Sequence, residues 1–409
     1  MKKMKRWFTK PSILMLCIIA LCGCKNNCNE GEKAKYIFLF IGDGMGASQV
    51  SLTESYMSYQ KGKLGGERLT FSKFPYFGMA STYSANRVIT CSSAAGTAIS
   101  CGAKANNESL GVGPDGEILK SITYDLQEDG YKIGIISNAP VNHATPAAFY
   151  GNTTSRYDYD SLIRTIPCTE FDFFAGSGFR SKAKDDTITE DPETFLERNG
   201  YEVCFGEDEY NSRSAECKRL ILCQEYNKGK DAKDYFIDGV AKESIYTLPE
   251  LLSRGMEFIG EESPFFIMCE GGTIDWAAHE NKTLPVINLI REFDAAVAMA
   301  YEFYLRHPDE TLIVVTADHD TGGVSLGQGI EWLDDRLEWY KIDSAWTAAG
   351  GTNILGHEEN KALNDSAFIG WTTMQHTGND VPVYAIGKGA ERFCGKMDNT
   401  EIKGKILGE

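Results

Sequence analysis

The residues able to do chemistry are few. Six histidines occur in 409 residues, and four of them, His143, His279, His319 and His376, stand beside the ends of apolar runs that read as strands. His307 and His357 have no such context and are assigned no role. Asp275 and His279 lie four apart in Cys269-Glu270-Gly271-Gly272-Thr273-Ile274-Asp275-Trp276-Ala277-Ala278-His279. On a helix they share one face and could grip one ion, although the pair alone also fits a helix-start acid and a surface histidine. Asp318-His319 follows an apolar run at 311–316; side chains opposed within a strand can converge where the chain turns off its end. Asp43 sits between glycines in Ile41-Gly42-Asp43-Gly44-Met45-Gly46, which is not the G-x-G-x-x-G spacing of a nucleotide loop. A glycine-rich turn and a closely approached metal ligand both fit it. His376, in Gln375-His376-Thr377-Gly378, has no local signature. Imidazole with carboxylate suits zinc, whereas carboxylate and hydroxyl oxygens suit magnesium.

The nucleophile candidate is Ser92, in Thr90-Cys91-Ser92-Ser93-Ala94-Ala95-Gly96-Thr97-Ala98. Small residues on all sides predict a helix start packed tightly against a neighbour, where backbone N–H groups favour an anion. A plain serine N-cap explains the segment too. Cys91 is the rival nucleophile, because a thiolate at a helix start can be reactive.

These residues need elements to position them. Apolar runs flanked by turns at 35–41, 132–137, 265–269, 311–316 and 381–386 read as buried parallel strands. Between them lie helical patterns, the clearest placing Val286, Leu289, Ile290, Phe293, Val297 and Ala300 on one face. The expected fold is α/β, with a largely parallel central sheet and helices on both faces. Ligands would then gather at the carboxyl ends of the strands. The stretch from about 157 to 246 breaks the pattern. It is rich in charge and cysteine, with runs such as 182–191 resembling solvated loop, and it reads as an insertion or cap.

The N-terminus reads as an address. Lys2, Lys3, Lys5, Arg6 and Lys10 precede a short apolar run from Ile13 to Cys22. A bilayer-spanning helix needs roughly 20 residues, so the run suits a signal peptide. Leu21-Cys22-Gly23-Cys24 resembles a lipobox, which makes 1–23 the signal, Cys24 the lipidated residue and 24–34 a tether to one domain at 35–409; an uncleaved anchor is the rival reading. The folded part is thus expected outside the cytoplasmic membrane, as a periplasmic or cell-surface lipoprotein. Nine of twelve cysteines lie beyond Cys24, an odd number that cannot all pair. Cys91 and Cys101 are expected on one helix about 15 Å apart, too far for a disulfide; Cys204, Cys217 and Cys223 could hold one bridge. The charge of −17, from 41 Lys+Arg and 58 Asp+Glu, argues against a nucleic-acid partner. An anionic substrate would need bound cations to attract it.

Taken in order, these segments resemble the alkaline phosphatase family from about residue 35 to the C-terminus. The resemblance implies hydrolysis of phosphate monoesters by a homodimer carrying two zinc ions and one magnesium ion. By it, Ser92 becomes phosphorylated, and Asp275, His279 and His376 hold one zinc. Asp318 and His319 hold the second, Asp43 bridges it to magnesium, and Thr145 and Glu270 complete the magnesium site. Arg156, in Thr154-Ser155-Arg156, matches the arginine that clamps phosphate.

Departures from the family pattern are specific. The residue before the serine is often an Asp that orients the arginine; here it is Cys91, so a less firmly held Arg156 is expected. His143 and Trp276, both expected beside the substrate, stand where the best-known bacterial member carries Asp and Lys. His143 could favour zinc over magnesium in the third site. A sulfatase of the same superfamily needs C/S-x-P-x-R, and Cys91-Ser92-Ser93-Ala94-Ala95 has neither Pro nor Arg. A phosphodiesterase usually lacks the set supplied by Thr145, Glu270 and Arg156. From another class, a lipoprotein could bind phosphate or metal without turnover; inactive relatives lose ligands or nucleophile, and every such position is filled here.

Overall fold

In the computed structural model, which describes residues 33–180, 190–230, 232, 246–330, 336–353 and 355–409, the apolar runs become strands. They are β1 (Tyr36–Gly42), β2 (Tyr76–Ser81), β3 (Lys132–Ser137), β4 (Phe173–Gly176), β5 (Glu202–Phe205), β6 (Leu220–Cys223), β7 (Phe265–Gly271) and β8 (Thr311–Thr316). Four short strands follow: β9 (Asp320–Thr321), β10 (Val324–Leu326), β11 (Ile369–Trp371) and β12 (His376–Thr377). The last two are β13 (Val381–Gly387) and β14 (Gly395–Asp398).

Ten strands make one sheet in the order β14-β2-β13-β8-β1-β7-β3-β4-β6-β5. Its centre is parallel: β1 pairs with β7 and β8, and β7 with β3. Every residue of β1 and β7 is buried, as sequences apolar on both faces require. Adjacent phenylalanines on β7 show both faces covered. Phe265 packs on Phe303 of the Thr283–Arg306 helix at 5.6 Å between ring centroids, whereas Phe266 stacks on Phe149 at 6.3 Å. The predicted helical stripe is that same 283–306 helix, with Val286, Leu289, Ile290, Phe293, Val297 and Ala300 all buried. The architecture is therefore α/β with a largely parallel sheet, as the sequence leads one to expect.

One strand direction differs. The 381–386 run was expected parallel, but β13 is antiparallel to both β8 and β2. Tyr384 pairs with Val315 and Gly387 with Leu312, so β13 begins at the carboxyl end of β8 and must run back. An apolar run reports burial on both faces and carries no sign of direction.

The stretch set apart at about 157–246 supplies β4, β5 and β6, which extend the sheet in parallel beyond β3. Residues 181–189, which hold most of the expected 182–191 loop, lie outside the described residues, as do the expected signal peptide and lipobox with Cys24. Among the described residues, no helix is long and apolar enough to cross a membrane. No bridge joins Cys204, Cys217 or Cys223, which are free thiols. Cys204 stands opposite Leu222, and Cys223 opposite Phe205, so alternation points these two thiols to opposite faces of the sheet. Cys101 ends the Ser92–Cys101 helix and Cys91 caps its start, both unbridged.

Candidate functional site

The site forms at the carboxyl end of the central strands. Asp43 leaves β1, Glu270 closes β7, and Asp318 and His319 leave β8. All four side chains are fully buried. Gly44 makes this crowding possible: its φ of 72° is left-handed, and a Cβ there would lie 3.0 Å from Asp275 Oδ1. The Thr273–His279 helix begins just after β7 and carries Asp275 and His279 one turn apart. His376 arrives through the antiparallel pairing of β12 with β9, opposite Thr321. Its ring stacks on His319, with centroids 3.6 Å apart.

Three sets of ligand atoms converge, each within 4.8 Å: Asp275, His279 and His376; Asp43, Asp275 and His319; and Asp43, His143 and Glu270. In the first, His279 Nε2 lies 3.2 Å from Asp275 Oδ2 and His376 Nε2 lies 3.6 Å from Oδ1. In the second, His319 Nε2 lies 3.5 Å from Asp43 Oδ1. Asp318 flanks it, with Oδ2 at 3.1 Å from the same nitrogen. Asp318 Oδ1 accepts backbone N–H groups of Gly44 and His319, which aims Oδ2 inward. In the third, Thr145 Oγ1 lies 3.5 Å from Asp43 Oδ2, and Ser137 donates to Glu270 Oε2.

The imidazoles are oriented by groups outside the cluster. His279 Nδ1 donates to Met374 O at 2.6 Å and His376 Nδ1 to Thr90 O at 2.8 Å. Thr321 Oγ1 donates to Asp275 Oδ1 at 2.6 Å, so its oxygen accepts from His319 Nδ1 at 3.2 Å. Each ring therefore presents Nε2 to the centre, as second-shell contacts do in metal sites. Thr321, Met374 and Thr90 were not singled out in the sequence. Thr321 carries a faint signal, since it sits two residues after His319 on an extended segment; backbone carbonyls carry none.

Charge balance shows what the cluster fits. Burial, then the Asp318, Asp275 and Glu270 carboxylates, push Asp43 well above the usual carboxylate range. Burial raises Asp318 to about 8 and Glu270 to about 7. Burial is the largest single influence on Asp275 and raises it, but the hydrogen bond with His279 and the charges of His279, His376 and His319 together outweigh this and hold it low. Desolvation opposes protonation of His279, yet the Asp275 hydrogen bond and charge, with the Met374 carbonyl, together lift it to about 9. Burial depresses His376 and His319, and together with Arg156 it takes His143 down to about 3. Asp43 Oδ1, Asp318 Oδ2, Glu270 Oε1 and His143 Nδ1 are buried with no hydrogen-bond partner. Crowded carboxylates with orphaned oxygens, beside His319 and His376 imidazoles held neutral by burial, fit divalent cations.

The remaining candidates surround this cluster. Ser92 opens its helix and its Oγ lies 3.3 Å from His319 Nε2. The rival Cys91 turns away, with Sγ 3.1 Å from Ser93 Oγ. Arg156 Nη2 lies 3.3 Å from His143 Nε2, and Trp276 meets the His143 ring edge-to-face at 5.6 Å.

Residues 34–172 and 242–407 match the family model described as alkaline phosphatase. Alkaline phosphatase 4 of Bacillus subtilis is 27% identical over 429 residues, spanning 92% of this chain and 89% of that protein. The alkaline phosphatase structure from the Antarctic bacterium TAB5 is 27% identical with a TM-score of 0.70, over 92% of this chain and 98% of its own. A mutant of the TAB5 enzyme, at 28% identity, TM-score 0.72 and coverage of 92% and 97%, has Mg bound in its M3 site.

Proposed function

The chain belongs to the alkaline phosphatase family and is a phosphatase; from that premise we propose that it hydrolyses phosphate monoesters through a covalent phosphoserine at Ser92, with two zinc ions and one magnesium ion. The observation carrying this reading is the placement of Ser92 Oγ 3.3 Å from His319 Nε2, a member of one of three metal-capable sets that share Asp43 and Asp275. Asp275, His279 and His376 would hold one zinc; Asp318 and His319 would hold the other. Asp43 would bridge the second zinc to magnesium, completed by Thr145 and Glu270. When bound, such cations lower the proton affinity of a neighbouring hydroxyl and neutralise the entering and leaving oxygens.

Attack of Ser92 Oγ on phosphorus forms one P–O bond as the ester P–O bond breaks in line. Water repeats the displacement at the phosphoserine and releases phosphate. The helix that begins at Ser92 would offer its first backbone N–H groups to the phosphoryl oxygens. Arg156 suits bidentate contact with two of them. A monoester dianion uses this full set of positive partners; a diester leaves part of it unused.

Steady-state hydrolysis of 4-nitrophenyl phosphate and its bis-ester, with zinc and magnesium present, tests the reading. Strong monoester preference, abolished by Ser92→Ala without loss of metal, is expected. Diester preference, or turnover surviving Ser92→Ala, would overturn it. The same reading places the protein, as a homodimer, outside the cytoplasmic membrane and tethered by a lipidated Cys24. Intact mass spectrometry should find a mature chain beginning at diacylated Cys24; a chain retaining Met1 would refute the anchor.

A further inference from the structure

Arg156 lacks the carboxylate that often orients the phosphate-clamping arginine in this family, and among the described residues no acid forms an ion pair with its guanidinium. Its backbone is nevertheless tied to the nucleophile's segment through one residue. Arg156 N–H donates to Glu108 O at 2.7 Å, and Glu108 N–H donates to Cys91 Sγ at 3.1 Å. Cys91 is the residue before Ser92 and the N-cap of its helix.

Glu108 is held in an uncommon backbone conformation. Its φ is 75°, a left-handed conformation that costs a non-glycine residue energy and persists where surrounding contacts over-determine it. Those contacts are present. Asn107 Oδ1 accepts Cys91 N–H at 3.2 Å, and Asn107 Nδ2 donates to Ile89 O at 3.1 Å. On the far side, Leu110 and Thr153 exchange two backbone hydrogen bonds of 2.8 Å. The Glu108 side chain is exposed, so its backbone is what the fold uses.

We propose that Cys91 is a positioning residue: through the Glu108 backbone its sulfur fixes the backbone of Arg156, and His143 Nε2 orients the guanidinium. A side chain that usually acts on the arginine's charged end here acts on its main chain. Distance between nucleophile and clamp is then set by a relay of two hydrogen bonds, Cys91 to Glu108 to Arg156. The inference rests on Arg156 being the phosphate clamp.

The test is a double-mutant cycle on the metal-loaded protein, with metal content and melting temperature measured for each variant. Cys91→Ala should raise KM for 4-nitrophenyl phosphate and the inhibition constant of inorganic phosphate about three- to tenfold, the scale of one lost hydrogen bond, with a smaller change in kcat. Introduced into Arg156→Ala, the same change should add nothing, because both act on one group. Cys91→Ser, whose oxygen can accept the Glu108 N–H, should recover part of the loss. An equal cost in both backgrounds would make Cys91 merely structural and overturn the relay, as would unchanged KM and phosphate inhibition in Cys91→Ala. If Arg156→Ala alone leaves both parameters unchanged, the clamp and the relay fall together, while Ser92→Ala still decides the phosphatase reading separately.

Discussion

Thr321 is a small residue with a large share in the site's order. Its hydroxyl donates to Asp275 Oδ1 and accepts from His319 Nδ1, tying two ligand sets together. Thr321→Val keeps the shape and removes both bonds. Loss of such a supporting contact typically costs 10–100-fold in metal affinity, so zinc competition with a chelator should show a weakening of about that size. Thr321→Ser should bind as the parent does; a Val variant with unchanged affinity would remove Thr321 from the account. The residues of the metal-capable clusters were legible in the sequence, because imidazoles and carboxylates at strand ends are rare and chemically distinctive. What orients them was not. Two of the three imidazoles lean on carbonyls of Met374 and Thr90, and a carbonyl is the same whatever the residue.

At the scale of elements, the Ser92–Cys101 helix shows why its small residues matter. A Cβ at Gly96 would lie 2.9 Å from Ala148 Cβ and 3.6 Å from Thr145 Cα, so this helix rests directly on the segment carrying Thr145. Gly96→Val would force the two apart, and overpacking of this kind costs about 1–3 kcal/mol. Urea unfolding should show that loss, and kcat should fall with it because Ser92 and Thr145 stand on the separated pieces. Unchanged stability would mean the contact has slack. The tight packing was readable from composition, since a run of Ser, Ala and Gly at a helix start leaves backbone close to whatever it meets. Strand direction was not readable: Val381–Gly387 is as apolar as its parallel neighbours, and only its entry from the His376–Thr377 segment makes it run back. The strands at 173–176, 202–205 and 220–223 were equally hidden, each four residues long amid charged sequence.

For the molecule as a whole, the buried acids turn metal loss into a pH problem. Without cations, folding holds protons on Glu270 up to about pH 7, on Asp318 up to about 8 and on His279 up to about 9, with Asp43 raised as well. The unfolded chain releases the acid protons near pH 4 and the histidine proton near 6.5. Between about pH 6.5 and 9 the folded state therefore binds more protons than the unfolded one, and stability must fall as pH rises. The depressed histidines His143, His319 and His376 act oppositely, but only below about 6.5, where an unfolded imidazole gains its proton. Thermal melts of the chelated protein should accordingly drop across pH 6.5 to 9. Zinc and magnesium, by taking the place of those protons, should flatten the slope and raise the melting temperature throughout. Asp318→Asn, which removes one of the titrating groups, should flatten the slope of the chelated protein in part. A chelated protein whose melting temperature stays level or climbs over that range would show that these carboxylates are not held protonated in the fold.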